Sequence, residues 1–510
     1  MSQSKQQRER NCKRRILRRL RRRDYSDQAQ PMFKGSNIQY QWSDRCHGLA
    51  GGGIGAIHLL ARRIGLIDAI DESLHLLKVH VPYHESDHVL NIAYNILLGG
   101  TCLEDIEVRR NDEVYLNALG AVSIPDPTTA GDFCRRFAEP DLEILQEVIN
   151  RRRLEVWRRQ PESFFEEATV EADGTMAPTT GECKDGMDIS YDGVWGYHPL
   201  LVSLANTSEP LYLVNRGGNR PSHEGAAARF DQALALCREA GFRRILFRGD
   251  TDFSQTKYLD GWDGQGVRFI FGMDASASLV GPAEALPAWR WSRLERPAKY
   301  RLRTRPRQRP ERVKERIVRE REFENIRLRS EDVAYFPYQP VACEKAYRIV
   351  VVRKNLTVEK GDLTLFDDVR YFFYITNDWQ ATPDELVLLA NDRCNQENLI
   401  DQLKNGVKAL RMPVDNLESN WAYMIMVSLA WTLKAWFALL LPETGRWQTK
   451  YQEDKRRLLR MEFKGFVNAL IQMPVQIIRA GRRIVFRLLS WNPWQCVLLR
   501  AVDHLHTMRC

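Results

Sequence analysis

Between residues 165 and 273 the chain sets short apolar runs and one amphipathic stretch in an order that few folds accept. Strand-like runs fall near Glu167–Asp173, Gly196–Ala205, Leu211–Asn215, Arg244–Gly249 and Val267–Gly272. Gly225–Ala240 carries helical periodicity, and a shorter helix is expected after Ser254. Three neighbouring strands followed by alternating helices and strands predict an α/β sheet with helices packed against it. Two of the runs end in an acid. ATVEAD closes on Asp173 with Gly174 after it, and RILFRGD closes on Asp250. In open α/β sheets, ligands bind beyond the carboxyl ends of the strands. Asp252 competes with Asp250, because the two share a face if the strand continues past Gly249.

A third acid comes from Thr382–Gly406, TPDELVLLANDRCNQENLIDQLKNG, which reads as one helix. Thr382 with Glu385 forms a capping box, Pro383 suits the first helical position, and Gly406 suits a C-terminal cap. The spacing of Arg393, Glu397 and Lys404 places them on one face, while Leu388, Leu389, Leu399 and Leu403 are left to anchor the helix. The plain alternative is an exposed helix with ordinary ion pairs. Two strand-end Asp residues and a helical Glu can instead hold a pair of Mg²⁺ ions, with Mn²⁺ as a substitute, for in-line phosphoryl transfer. Arg393 and Lys404 can then hold phosphate oxygens.

These three segments resemble bacterial insertion-sequence transposases of the Asp-Asp-Glu class. Arg393-x3-Glu397-x6-Lys404 matches the last three members of a Tyr-x2-Arg-x3-Glu-x6-Lys signature, and Ala390 stands where the Tyr would be. EADGT around Asp173 and FRGDTDF around Asp250 match the first two acids. YDGVWGYHPLLV through NRPSHEGAAARFDQAL also resembles this group, closest to the "thirteen-eighty" insertion-sequence family. The resemblance covers roughly residues 45–440. It implies an RNase H-like, retroviral-integrase-type core in which Asp173, Asp250 and Glu397 are catalytic and hold the ions. It also implies cut-and-paste transposition by a dimer on paired ends, with terminal inverted repeats and target DNA as double-stranded partners.

At 510 residues the chain is long enough for two or three domains. Its 75 Lys and Arg against 66 Asp and Glu give +9, which favours a polyanionic partner. The ten cysteines are scattered without a CxxC pair, as expected for reduced thiols in a bacterial cytoplasm, with the protein on the nucleoid when DNA-bound. The expected organisation is a basic arm over 1–44, a helical DNA-binding region over 45–160, and a first core part over 161–273. A β-rich insertion over 274–375, a second core part over 376–445 and a basic helical tail over 446–510 follow.

Candidate DNA contacts lie outside the core as well. Arg135 and Arg136 close the stretch PTTAGDFCRRF, which could dock as a helix. Arg301, Arg303, Arg305, Arg307 and Arg309 alternate, so an extended chain puts them on one face beside Trp289 and Trp291. A charged edge strand is the alternative there.

Three patterns are set aside. The cluster Gly51, Gly52, Gly53 and Gly55 lacks the Lys-Ser/Thr of a phosphate-cradling loop. His84-Glu85-Ser86-Asp87-His88 matches HExxH, whose chemistry needs both histidines in one helix, but Pro82 and an N-cap at Ser86 put His84 outside it. Residues 419–441 are long enough to span a bilayer, yet Lys434 interrupts them, and a core helix is expected, with no membrane partner. The functional alternatives are an RNase H-like nuclease without strand transfer and an inactive DNA-binding repressor.

Overall fold

The strand-forming runs pair into one nine-stranded mixed sheet. This computed structural model describes residues 3–21, 39, 47–80, 82–179, 181, 184–297, 313–360, 363–480 and 483–508. The five alternating arginines from Arg301 to Arg309 therefore lie outside the described residues. The chain divides into two units. One comprises 161–178 and 187–400; the other comprises 1–160, 179–186 and 401–510.

The first unit holds the large sheet. Its strands are β1 (Glu167–Gly174), β2 (Leu200–Leu204), β3 (Glu209–Val214), β4 (Arg244–Gly249), β5 (Arg268–Met273), β6 (Ser292–Arg293), β7 (Glu324–Tyr338), β8 (Tyr347–Lys360) and β9 (Leu363–Thr376). The spatial order is β6-β7-β8-β9-β5-β4-β1-β2-β3. β4 runs parallel to both β1 and β5, and β1-β2-β3 are antiparallel. β7, β8 and β9 lie in the stretch expected to be a β-rich insertion, and β9 joins them to β5.

Both faces of β4 are covered, which is why Ile245, Leu246 and Phe247 follow one another with no polar residue between them. On one face, helix Ala226–Ala240 places Phe230 4.6 Å from Phe247, and Trp262 and Phe271 close the cluster. On the other, Leu246 and Ile270 pack with Leu386, Val387 and Ala390 of helix Pro383–Asn391. Successive side chains alternate between faces. Leu246, Arg248 and Asp250 therefore share the second face, as do Thr169, Glu171 and Asp173 on β1.

The second unit is mainly helical. Leu417–Leu439 is long and apolar enough to cross a membrane, but its apolar window is wholly buried in the fold. Lys434 within it donates to the Leu459 carbonyl at 2.9 Å and sits 3.8 Å from the Trp431 ring centroid. Burial pushes its pKa down to about 7. The glycine cluster is a packing device. Gly52 and Gly53 donate to the Met473 and Ile471 carbonyls at 2.9 and 3.0 Å, and a Cβ on Gly53 would collide with the Leu470 carbonyl. The basic N-terminus forms helix Gln3–Arg21, with Lys13 over the Trp491 ring. A hairpin of Val475–Ala480 and Arg483–Leu488 lies within the region expected to be a helical tail.

Gly272 sets how closely β5 can approach the end of β4. A Cβ there would lie 2.8 Å from the Thr251 nitrogen and 3.1 Å from the Asp250 carbonyl carbon, both backbone atoms that cannot rotate away. Gly272→Ala is expected to lower stability by about 1–3 kcal/mol, as overpacking does. Urea unfolding measures the loss, and a change under 0.5 kcal/mol, the usual scatter of neutral surface substitutions, would mean the turn yields freely.

Candidate active site

The two strand-end acids are placed by register. β1 and β4 pair in parallel with Glu171 opposite Arg248, so Asp173 and Asp250 each follow two residues later on the same face. β4 ends at Gly249. Asp250 then caps a short 3₁₀ turn, Thr251–Phe253, and its carboxylate accepts from the Asp252 backbone N–H at 3.1 Å. The strand does not run on, so Asp252 does not share the face of Asp250 and stands exposed in the turn.

Glu397 comes from a helix that is not the single element the sequence suggested. Helix Pro383–Asn391 begins as expected, with Thr382 Oγ1 accepting from the Glu385 N–H at 3.3 Å and Glu385 Oε2 accepting from the Thr382 N–H at 2.9 Å. It stops at Asn391. A second helix runs Cys394–Asp401, and a π-turn covers Gln402–Gly406. Asn391, Asp392, Cys394 and Asn395 are all weak helix formers, and short i→i−3 bonds from the Arg393 and Gln396 N–H groups fill the break. The even 3.6-residue spacing that put Arg393, Glu397 and Lys404 on one face does not hold across a break and a π-turn. Leu399 and Leu403 are buried as expected, but Leu386 and Val387, rather than Leu388 and Leu389, anchor the first segment.

The break puts Arg393 among the acids. One guanidinium nitrogen lies 2.8 Å from Asp250, and another lies 3.7 Å from Asp173 and 4.0 Å from Glu397. The three acids named from sequence thus surround one cation. Asp173 is 14 % exposed and Glu397 62 %, so the cluster opens to solvent on the Glu397 side. Burial pushes the Asp173 carboxyl up to about 7, against the pull of Arg393, and the charges of Asp250 and Glu397 add to the rise. Burial also raises Asp250, again opposed by Arg393.

Three further residues hold this arrangement. Glu171 and Arg248 form a buried pair at 2.7 Å directly behind the two strand-end acids, and Arg248 also donates to the Leu389 carbonyl at 2.6 Å. The pair therefore ties both strands to the last turn of helix Pro383–Asn391. Gln396 is 1 % exposed. With its amide oriented to satisfy both ends, it donates to the Ala172 carbonyl at 3.3 Å and accepts from the Asp173 N–H at 3.2 Å. The signal for the pair was present in the sequence: a lone Glu and a lone Arg inside apolar strands, each two residues before an acid. Gln396 gave no such signal.

Lys404 is half-buried in the π-turn and belongs to the other unit. Arg135 is held by Asp415 at 3.0 Å and Asp132 at 2.8 Å, just beyond helix Pro127–Cys134, while Arg136 is exposed. Arg301, Arg303 and Arg305 fall outside the described residues. Trp289 is exposed, and Trp291 lies under Arg353 at 4.2 Å.

A family model described as "Transposase DDE domain group 1" matches residues 49–510. No curated protein matches. Among solved structures, a cryo-EM structure of piggyBac transposase synaptic complex with hairpin DNA is similar. It shares 8% identity over 91% of this chain and 87% of that chain, with a TM-score of 0.37. At that score the likeness carries no weight.

Asp173→Asn tests the electrostatics of the cluster. An acid whose folded pKa stands near 7, above its ordinary 3.8, contributes stability that is fully present below 3.8. That contribution is lost as pH rises through 7. The Asn variant cannot titrate, so it should gain on the wild type between pH 4 and pH 8 by on the order of 4 kcal/mol. Urea titrations across that range measure the gap; a gap that does not change with pH contradicts a raised Asp173.

Proposed function

This chain belongs to the transposase DDE domain group 1 family, and we propose that it cuts and rejoins DNA at the ends of an insertion sequence, with Asp173, Asp250 and Glu397 as catalytic residues. The observation that supports this reading best is the meeting of these three carboxylates around one guanidinium. They come from two adjacent parallel strands and a nearby helix. The order β3-β2-β1-β4-β5 supports the reading of an RNase H-like core, and β6 to β9 extend the same sheet.

The donor set fits divalent ions. Three oxygen-bearing acids, partly open to solvent and already gathered about a positive group, are the ligands Mg²⁺ and Mn²⁺ prefer. Bound there, two such ions supply an activated water or DNA 3′-hydroxyl and a stabilised leaving oxygen. The chain's own part is to hold the ligands in place. β1 and β4 fix the two Asp residues, the Glu171–Arg248 pair fixes the strands, and Gln396 fixes the Glu397 helix against β1. Arg393 has to leave Asp250 before the acids are free to ligate, and its planar fork then suits a DNA phosphate. Lys404 is assigned to phosphate as a point charge. The resemblance to the "thirteen-eighty" group extends the reading to terminal inverted repeats and to paired ends held by a homodimer.

The test is Mg²⁺-dependent cleavage and joining of linear DNA that carries the sequences flanking the coding region. Asp173→Asn, Asp250→Asn and Glu397→Gln should each abolish both reactions with the fold intact by circular dichroism. Cleavage retained by any of the three would remove that residue from the site. Cleavage without joined products would favour a plain nuclease.

Arg393→Ala should separate two roles. Cleavage is expected to fall about 10²–10³-fold, as when a transition-state charge partner is lost. Mn²⁺ affinity of the DNA-free protein should rise, because the competing cation is gone. Calorimetric titration reads the second effect; weaker Mn²⁺ binding in Arg393→Ala would mean that the guanidinium helps to build the metal site.

A further inference from the structure

The HExxH stretch folds in a way that spoils its usual reading and assembles a different set of ligands. Helix Glu85–Leu97 has His84, not Ser86, at its N-cap. His88 turns into the core, 4 % exposed, with its ring stacked on Phe133 at 4.3 Å. The two histidines of the motif therefore cannot share an ion. His80, from the loop ahead of the helix, takes the place of His88. Its ring stacks on that of His84 at 4.2 Å and 16°, and its Nε2 lies 3.1 Å from Glu85 Oε2. One ligand atom from each of His80, His84 and Glu85 lies within 4.8 Å of the others.

We propose that His80, His84 and Glu85 hold a single Zn²⁺ ion, with water completing the shell. Bonds of about 2.0–2.1 Å in a tetrahedron put neighbouring ligand atoms about 3.3 Å apart. The His80–Glu85 edge already has that length, and His84 needs only a side-chain rotation to close the triangle. Two imidazoles with one carboxylate favour a transition ion over Mg²⁺, which takes oxygen ligands.

The frame around the site is fixed. The Glu85 side chain is 2 % exposed, and its other oxygen accepts from the Leu77 N–H at 3.0 Å. The Ser86 N–H and hydroxyl donate to Asp71 at 2.8 and 2.9 Å, and the His84 N–H donates to Asp87 at 2.9 Å. Such outer contacts orient metal ligands. His80 and His84 are exposed, so an ion can enter. The bound ion becomes the counter-charge of a buried carboxylate. Glu85 is a ligand here and so is not available as a general base. Its work is to staple the loop to the helix, independently of Asp173, Asp250 and Glu397.

The experiment uses the full chain stripped with chelator and titrated with Zn²⁺ by calorimetry, with Co²⁺ absorption as a report of ligand geometry. The wild type should bind one equivalent that Mg²⁺ in excess does not displace. His80→Ala and His84→Ala should each weaken that equivalent by about 100-fold or more, since each removes a ligand outright. His47→Ala, an exposed histidine elsewhere, should not, and Asp173→Asn should keep the equivalent, which separates it from the candidate active site. Zn²⁺ should raise the thermal midpoint of the wild type but not of His84→Ala. Both histidine variants are at exposed positions, so circular dichroism should show an intact fold. No Mg²⁺-resistant equivalent, or one that survives in His80→Ala and His84→Ala, overturns the proposal.

Discussion

Three carboxylates cannot be gathered in a partly buried cluster without a counter-charge, and Arg393 supplies it. Like charges brought together repel, and more strongly where water is partly excluded. The single guanidinium, 2.8 Å from Asp250 and 3.7 Å from Asp173, offsets that repulsion. It does not remove the burial cost on Asp173, whose pKa still stands near 7.

Everything beneath the cluster serves its geometry. The aromatic layer of Phe230, Phe247, Trp262 and Phe271 stiffens the middle of the sheet from one side. From the other, Leu386 and Val387 press a helix onto the same strands. Between this apolar floor and the acids lies the buried Glu171–Arg248 pair. Buried ion pairs are poor sources of stability, but removing one partner is costly because the other is left uncompensated. Its position, one step back from each strand-end Asp and bonded to the Leu389 carbonyl, suits fixing geometry better than adding stability.

Much of this was legible in the sequence, and the reasons are local. The strands around Asp173 and Asp250 were visible because a short apolar run closed by an acid needs only neighbouring residues. The capping box at Thr382 was visible for the same reason. The helix break at Asp392 was not, because helical periodicity continues through it and only a cluster of weak helix formers marks the spot. The sequence therefore did not show that Arg393 would lie among the three acids. Gln396 was hidden for another reason: its partners are backbone atoms of β1, which no side-chain pattern reveals. The HExxH match was rightly set aside, since His84 lies outside the turns of the helix, but the N-cap is His84 rather than Ser86 because a motif fixes spacing and not where the helix begins.

The central claim is that divalent ions replace Arg393 between Asp173, Asp250 and Glu397. Anomalous diffraction from crystals soaked in Mn²⁺ tests it most directly. Two peaks roughly 4 Å apart, shared by the three carboxylates, are expected, with the Arg393–Asp250 contact opened. Ions bound elsewhere, or bound while Arg393 keeps its 2.8 Å contact with Asp250, would contradict it.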